Sequence, residues 1–281
     1  MKQYWSITEG VFNCLTDRKR TNAFRRAIRN TVRPNDVVVD LGSGSGILAL
    51  FAAEAGARRV FAVEKDPKNA MWLSDVFRAN GFAGKIEVIH GDARTVTLPE
   101  KASVVICEMI ATGLIEELQV PVMNSVLQKV ENGARIVLRS FDSFVDVVAV
   151  DDRFYGFRLP VPQYAYPGDC AVRLSPLTRQ HKYSTVDFAV NNTLSVNSTI
   201  RLTALNKRKV TANAVRICSR THFCDGSSFG ASFAYSYPII IPIRPLSVHS
   251  GDHIDVTLSY AMSKGFENLK LHVAIPHAEA E

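Results

Sequence analysis

A chain of 281 residues, 47% of them hydrophobic, can bury one large core or two smaller ones, and ordinary domain size favours two. Net charge is +6, which hints at an acidic or nucleic-acid partner, but outside "DRKR" (17–20) and "NKRK" (206–209) the basic residues form no dense block; a solvated surface with a modest basic excess accounts for it equally well, and no nucleic-acid partner is expected. The five cysteines are odd in number and lack any CxxC pair, which argues against a disulfide framework or a metal site; with a polar start and no apolar run near ~20 residues, the expectation is a soluble, cytoplasmic protein with no membrane association.

Residues 1–33 carry a helical pattern with a basic face, closed by Pro34. From 34 to 140, short β-branched runs alternate with segments of helical period. Strands are expected at 36–41, 58–64, 85–91, 102–108 and 134–140, with helices at 46–56, 67–81 and about 114–130. This alternation predicts an α/β doubly wound, Rossmann-like domain whose strands are buried on both faces. From 141 to 281 the period changes to two. Segments such as "FVDVVAV", "STIRLTAL", "VTANAVRI" and "HIDVTLSY", separated by turn clusters, predict an all-β barrel-like domain.

The first strand ends "VDLGSGSGIL", placing Asp40, Gly42, Ser43, Gly44 and Gly46 between a strand and a helix. Glycines at that edge let the backbone approach a ligand where a Cβ would clash. Glu64 ends the second strand about 20 residues on, where a carboxylate can accept from both ribose hydroxyls. Two ligand classes compete. A dinucleotide prefers G-x-G-x-x-G, whereas the spacing here is G-x-G-x-G; Asp40 would repel a diphosphate but suits the ammonium end of S-adenosyl-L-methionine, the expected cofactor. Asp92, in "VIHGDA", is positioned either to accept from an adenine amino group or to cap a turn.

With these motifs in place, "VVVDLGSGSGILALFAAEAGARRVFAVEKD" resembles a class I methyltransferase, and more closely the protein arginine methyltransferases. "LTDRKRTNAFRRAI" (15–28) resembles that family's N-terminal D-x-x-R-T helix through Asp17, Arg20 and Thr21. "LPEKASVVICEMIATGLIEEL" (98–118) resembles its double-glutamate loop. The resemblance is close over about 4–140 and architectural beyond. It implies that Arg20 holds the cofactor's carboxylate, the Gly42 loop its amino-acid portion and Glu64 its ribose, with Lys65 and Ala93 completing the contacts.

The family's two catalytic glutamates lie nine residues apart, which selects Glu108 and Glu117 over Glu116. Two carboxylates can grip a planar guanidinium in two places and hold its charge away from the attacking nitrogen. The bland alternatives are a strand-end acid at Glu108 and a helix-dipole acid at Glu117. Protein arginine, or a small cationic molecule, is therefore the expected substrate; another nucleophile and a non-catalytic cofactor-binding module are the competing readings.

The chain also departs from the family pattern. "MIAT" (109–112) replaces an aromatic and a glycine after the first acid, Val11 stands where the family has a histidine, and Arg94 stands where it has an acid beside the adenine. The family's Thr-His-Trp loop falls, by count, near "FAYSY" (233–237), which lacks the histidine; His222 in "THF" lies too far upstream. The segment 151–190 looks too short for the family's dimerisation arm, which leaves the oligomeric state open.

Overall fold

Valine- and isoleucine-rich runs with no polar face must be covered on both sides, and the runs at 37–41, 59–64 and 104–107 form the centre of a five-stranded parallel sheet. The computed structural model describes residues 9–166 and 173–276. Cys170, most of the "YPGD" turn, and residues 1–8 of the expected N-terminal helix lie outside the described residues. After α1 (Glu9–Thr16) and α2 (Arg18–Thr31) come β1 (Val37–Leu41), α3 (Ile47–Glu54), β2 (Arg59–Glu64), α4 (Pro67–Ala79), β3 (Ile86–His90), β4 (Val104–Cys107), α5 (Gln119–Val126) and β5 (Arg135–Ile136). The sheet order is β3-β2-β1-β4-β5, all parallel. The order reverses beside β1, so the crevice at the carboxyl ends of β1 and β4 is where a ligand fits.

Three expected elements are corrected. The N-terminal helix is broken at Asp17, whose side chain caps α2 by accepting from the Arg20 amide at 3.1 Å. The stretch 134–140 divides between β5 and the long antiparallel β6 (Leu138–Val150). The helix expected from 114 begins only at Gln119. Pro121 tolerates a place in a first turn but not five or more residues inside a helix. Upstream, Gly113 and Leu114 are left-handed, with φ of 66° and 56°. The carbonyls of Leu114 and Ile115 are also taken by amides of residues 263–265 rather than by a following helical turn.

After β6 the chain is antiparallel: β7 (Arg153–Phe154), β8 (Phe157–Arg158), β9 (Gln163–Tyr164), β10 (Leu174–Pro176), β11 (His181–Asp187), β12 (Ser195–Thr203), β13 (Val210–Phe223), β14 (Ser228–Phe229), β15 (Ile239–Val248), β16 (His253–Ala261) and β17 (Lys270–Ala274). One sheet runs β10-β6-β13-β15-β9, with β11 also on β6 and β14 on β13; a second runs β12-β16-β17. A single apolar cluster, reaching from Val38 and Val105 to Val145 and Ile254, continues through both the parallel and the antiparallel parts. Among the described residues, no helix is long and apolar enough to cross a membrane.

Candidate functional site

Three glycines of the loop after β1 are left-handed: Gly42, Gly44 and Gly46 have φ of 74°, 54° and 77°. At Gly46 a Cβ would come within 2.7 Å of Leu73 and 2.8 Å of Phe77, so its bareness lets α3 pack on α4. Val11 of α1 lies over Gly44, and the Met109 side chain lies over Gly42. The loop is also tied down from below. Glu64 accepts from the amides of Gly44 and Asp66, both at 2.9 Å, and Asn69 donates to the Gly44 carbonyl at 2.8 Å. Asn69 carried no motif; its signal was only its place in the first turn of a capped helix.

Asp40 is buried beneath this loop, 1% exposed, and its Oδ2 has no hydrogen-bond partner. Burial first, and then the nearby Glu64 charge, push its carboxyl up to about 7 despite a hydrogen bond from Ser43. Arg20 is 4% exposed, donates from Nη1 to the Cys14 carbonyl at 3.1 Å and pairs through Nη2 with Glu108; its Nε is buried without a partner. An unpartnered buried acceptor and an unpartnered buried donor flank one glycine loop. Those are the two groups that the ammonium and carboxylate of an amino-acid-bearing ligand need, so the residues fit S-adenosyl-L-methionine.

The adenine side differs from expectation. Asp92 is taken by its own turn: the Arg94 side chain donates to it at 3.0 and 2.6 Å, the Arg94 amide at 3.0 Å, and Lys65 approaches at 3.4 Å. These contacts hold its carboxyl well below the usual carboxylate range. Lys65 is otherwise exposed, while Ala93 is buried. The turn cap is the role these contacts give Asp92.

Glu108 follows β4, and Gln119, which is wholly buried, fixes that strand end. Its Oε1 accepts from the Met109 amide at 2.8 Å and its Nε2 donates to the Cys107 carbonyl at 3.1 Å, so one side chain replaces the backbone partners a further strand would supply. Glu117 lies just ahead of the first turn of α5; desolvation by the atoms packed around its carboxyl, and then the adjacent Glu116, raise it. Glu116 is exposed as expected, yet accepts from the Tyr164 hydroxyl at 2.9 Å.

The antiparallel sheets hold the loop carrying these acids. The Gly113 amide donates to Ser219 Oγ at 3.0 Å, Tyr260 donates to the Gly113 carbonyl at 2.7 Å, and Ser263 Oγ donates to the Glu117 carbonyl. Left-handed Leu114, a strained conformation for a non-glycine residue, persists because these bonds over-determine it. The loop near 233–237 packs where the count placed it. Asp17 Oδ2 accepts from Ser232 Oγ at 2.6 Å and from the Ala234 amide at 2.7 Å, which ties this loop to the start of α2. His222 is elsewhere, on β13, 3.1 Å from Asp142.

Known proteins resemble this chain in sequence and in fold. An uncharacterized protein of Methanocaldococcus jannaschii is 30% identical over 275 residues, covering 97% of this chain and 100% of that one. The chain belongs to the family of that archaeal protein. A family model described as the TRM5/TYW2 methyltransferase domain matches residues 17–137. The probable protein arginine N-methyltransferase 6 of Arabidopsis thaliana is 39% identical over 105 residues, 37% of this chain but only 24% of that one. The Trypanosoma brucei PRMT1 enzyme-prozyme complex, solved with AdoHcy, shares the fold with a TM-score of 0.79 at 19% identity, covering 95% of this chain and 93% of that one. The protein is therefore an S-adenosylmethionine-dependent methyltransferase that resembles the arginine methyltransferases in fold and in part of its sequence, with a Rossmann-like sheet followed by antiparallel sheets.

Proposed function

We propose that this methyltransferase transfers a methyl group to an arginine guanidinium of a polypeptide, held by Glu108 and Glu117. The observation that carries the reading is that Glu108, at the mouth of β4 beside the glycine loop, already grips a guanidinium, that of Arg20. The cofactor supplies an electrophilic methyl on a sulfonium. Arg20, with Nε to spare, would hold the cofactor's carboxylate, and Asp40 its ammonium. Gly42, Ser43, Gly44 and Gly46 would admit its amino-acid portion, and Glu64 would accept from its ribose hydroxyls, kept in place by the Gly44 and Asp66 amides. Glu108 and Glu117 would orient the acceptor guanidinium and draw its charge toward the nitrogens that do not react. Because the product loses its proton after transfer, neither acid needs to act as a strong base.

Glu117 has its carboxyl raised, so a cationic acceptor beside it would favour its ionised form. Incubation of the protein with methyl-labelled donor and an extract of basic proteins tests the reading. Label retained in protein is the expected result; label only in small molecules would sink it. The second result would favour a small cationic substrate, a reading that has its own support in the apolar cavity of about 430 Å³ beside Glu116.

Asp40 also makes cofactor binding pH-dependent. Between its ordinary 3.8 and its folded value of about 7, the folded state holds a proton that the unfolded state has lost, so this group's contribution to stability falls as pH rises through that window. An ammonium beside Asp40 requires the ionised form, so donor affinity should fall by up to about tenfold per unit as pH drops below 7. Calorimetry from pH 5 to 8 should find that slope in the wild type and lose it in Asp40→Asn. An equal slope in both would remove Asp40 from the site.

A further inference from the structure

Among the described residues the antiparallel sheets do not close into a ring. On the side away from β13, β15 is paired with β9 only at Ile239 and Ile240; from Ile241 onward that edge carries no ladder among the described residues. β17 is likewise paired on one side only, with β16. A cleft of about 810 Å³ separates these two edges, floored by Ile241, Ile243 and Leu246 on one side and by Leu271 and Val273 on the other. It shares Ile241, Leu269 and Leu271 with the 430 Å³ cavity that ends at Glu116, Tyr164 and Phe266. One largely apolar trench, with Arg244 and His272 also lining its β15–β17 part, thus runs from the residue before Glu117 to the far end of β17.

A free strand edge presents unmet backbone donors and acceptors and is a template for an added strand. The two edges are not equivalent. Pro242 and Pro245 remove donors from β15, which blunts it, whereas β17 (Lys270–Ala274) contains no proline. The end nearest the proposed acceptor site is acidic and aromatic. Glu116 is held by Tyr164, whose ring lies 5.8 Å from Tyr237 and 6.3 Å from Phe266. That combination complements a cationic residue at one end of an otherwise apolar ligand.

Resting on the proposed arginine methylation, we infer that the trench holds an extended segment of the polypeptide substrate. About five residues next to the methylated arginine add as a strand to β17, with alternate apolar side chains in the cleft and the basic end at Glu116. A small cationic substrate would fill the cavity beside Glu116 and use nothing of the β17 edge, and a second copy of the chain would occupy that edge only at high protein concentration.

The test uses the full chain, labelled donor and synthetic peptides in which one arginine is followed by either alternating Val-Thr or Gly-Ser residues. The Val-Thr peptide is expected to show a KM about tenfold lower at similar kcat. N-methylation of its backbone at alternate positions should raise KM, and at the intervening positions should not. Equal KM for the two peptides, or no period-two effect, overturns the inference while leaving arginine methylation intact. If neither peptide is methylated, the proposed function fails, and fluorescence anisotropy of the same labelled peptides still decides the trench. Tighter binding of the Val-Thr peptide, lost in Leu271→Asp, supports it; equal binding, or a signal that tracks self-association in sedimentation, refutes it.

Discussion

Glu108→Gln is expected to lower the rate of methyl transfer by about 10²–10³-fold while changing donor affinity by no more than a few-fold. The amide has the shape of the carboxylate, and its oxygen can still accept from Arg20, so the buried guanidinium keeps a partner and the cofactor side of the site is preserved. What disappears is the negative charge at the mouth of β4. That charge is the group proposed to hold the acceptor's positive charge away from the attacking nitrogen. Initial rates with labelled donor, alongside calorimetric donor affinity, separate the two effects. Unchanged turnover would mean that Glu108 serves only as the structural partner of Arg20.

Gly46→Val should damage the fold and the cofactor site together. A β-branched residue at φ of 77° is strained, and its Cβ would lie 2.7 Å from Leu73 and 2.8 Å from Phe77, both buried side chains. Backbone strain and overpacking together cost about 3 kcal/mol or more. That corresponds to roughly 6–12 °C in Tm for a chain of this size. The loop must move to relieve the clash, so donor affinity should fall as well. Differential scanning calorimetry with and without donor checks both effects; a wild-type Tm would mean that α3 and α4 are not packed as described.

The parallel sheet was legible because its signals are local: apolar runs of strand length, Pro67 opening one helix, and glycines directly after a strand. The period-two segments of the second half were legible for the same reason. The start of α5 was readable in principle from Pro121, but the apolar residues Leu114, Ile115 and Leu118 have helical spacing and masked it. What settles the matter is the capture of the 114 and 115 carbonyls by residues about 150 positions away. Gln119 and Asn69 went unnoticed for a related reason. A single side-chain amide that replaces backbone partners has no periodicity, and its contacts appear only once the strand ends are in space. The loop on Asp17 is intermediate. Counting located it near 233–237, but what binds it to Asp17 is a serine hydroxyl and a main-chain amide, and a backbone donor leaves no mark in sequence.

Arg94 shows the limit of reading a site by position. The acid expected at the adenine edge was sought at Asp92, and the arginine two residues on closes over that acid itself. The Asp92 carboxylate is thereby taken up within its own turn, next to buried Ala93.

The central claim is that the acceptor is a guanidinium, and it is tested most directly with two basic peptides that differ only in arginine against lysine at one position. Each is incubated with methyl-labelled donor, and the product is sequenced by mass spectrometry. The account predicts methyl groups on the guanidinium nitrogens of the arginine peptide, none on the lysine peptide, and loss of the product in Glu108→Gln and Glu117→Gln. Methylation of the lysine peptide at a comparable rate, or of arginine by both variants at the wild-type rate, would contradict it.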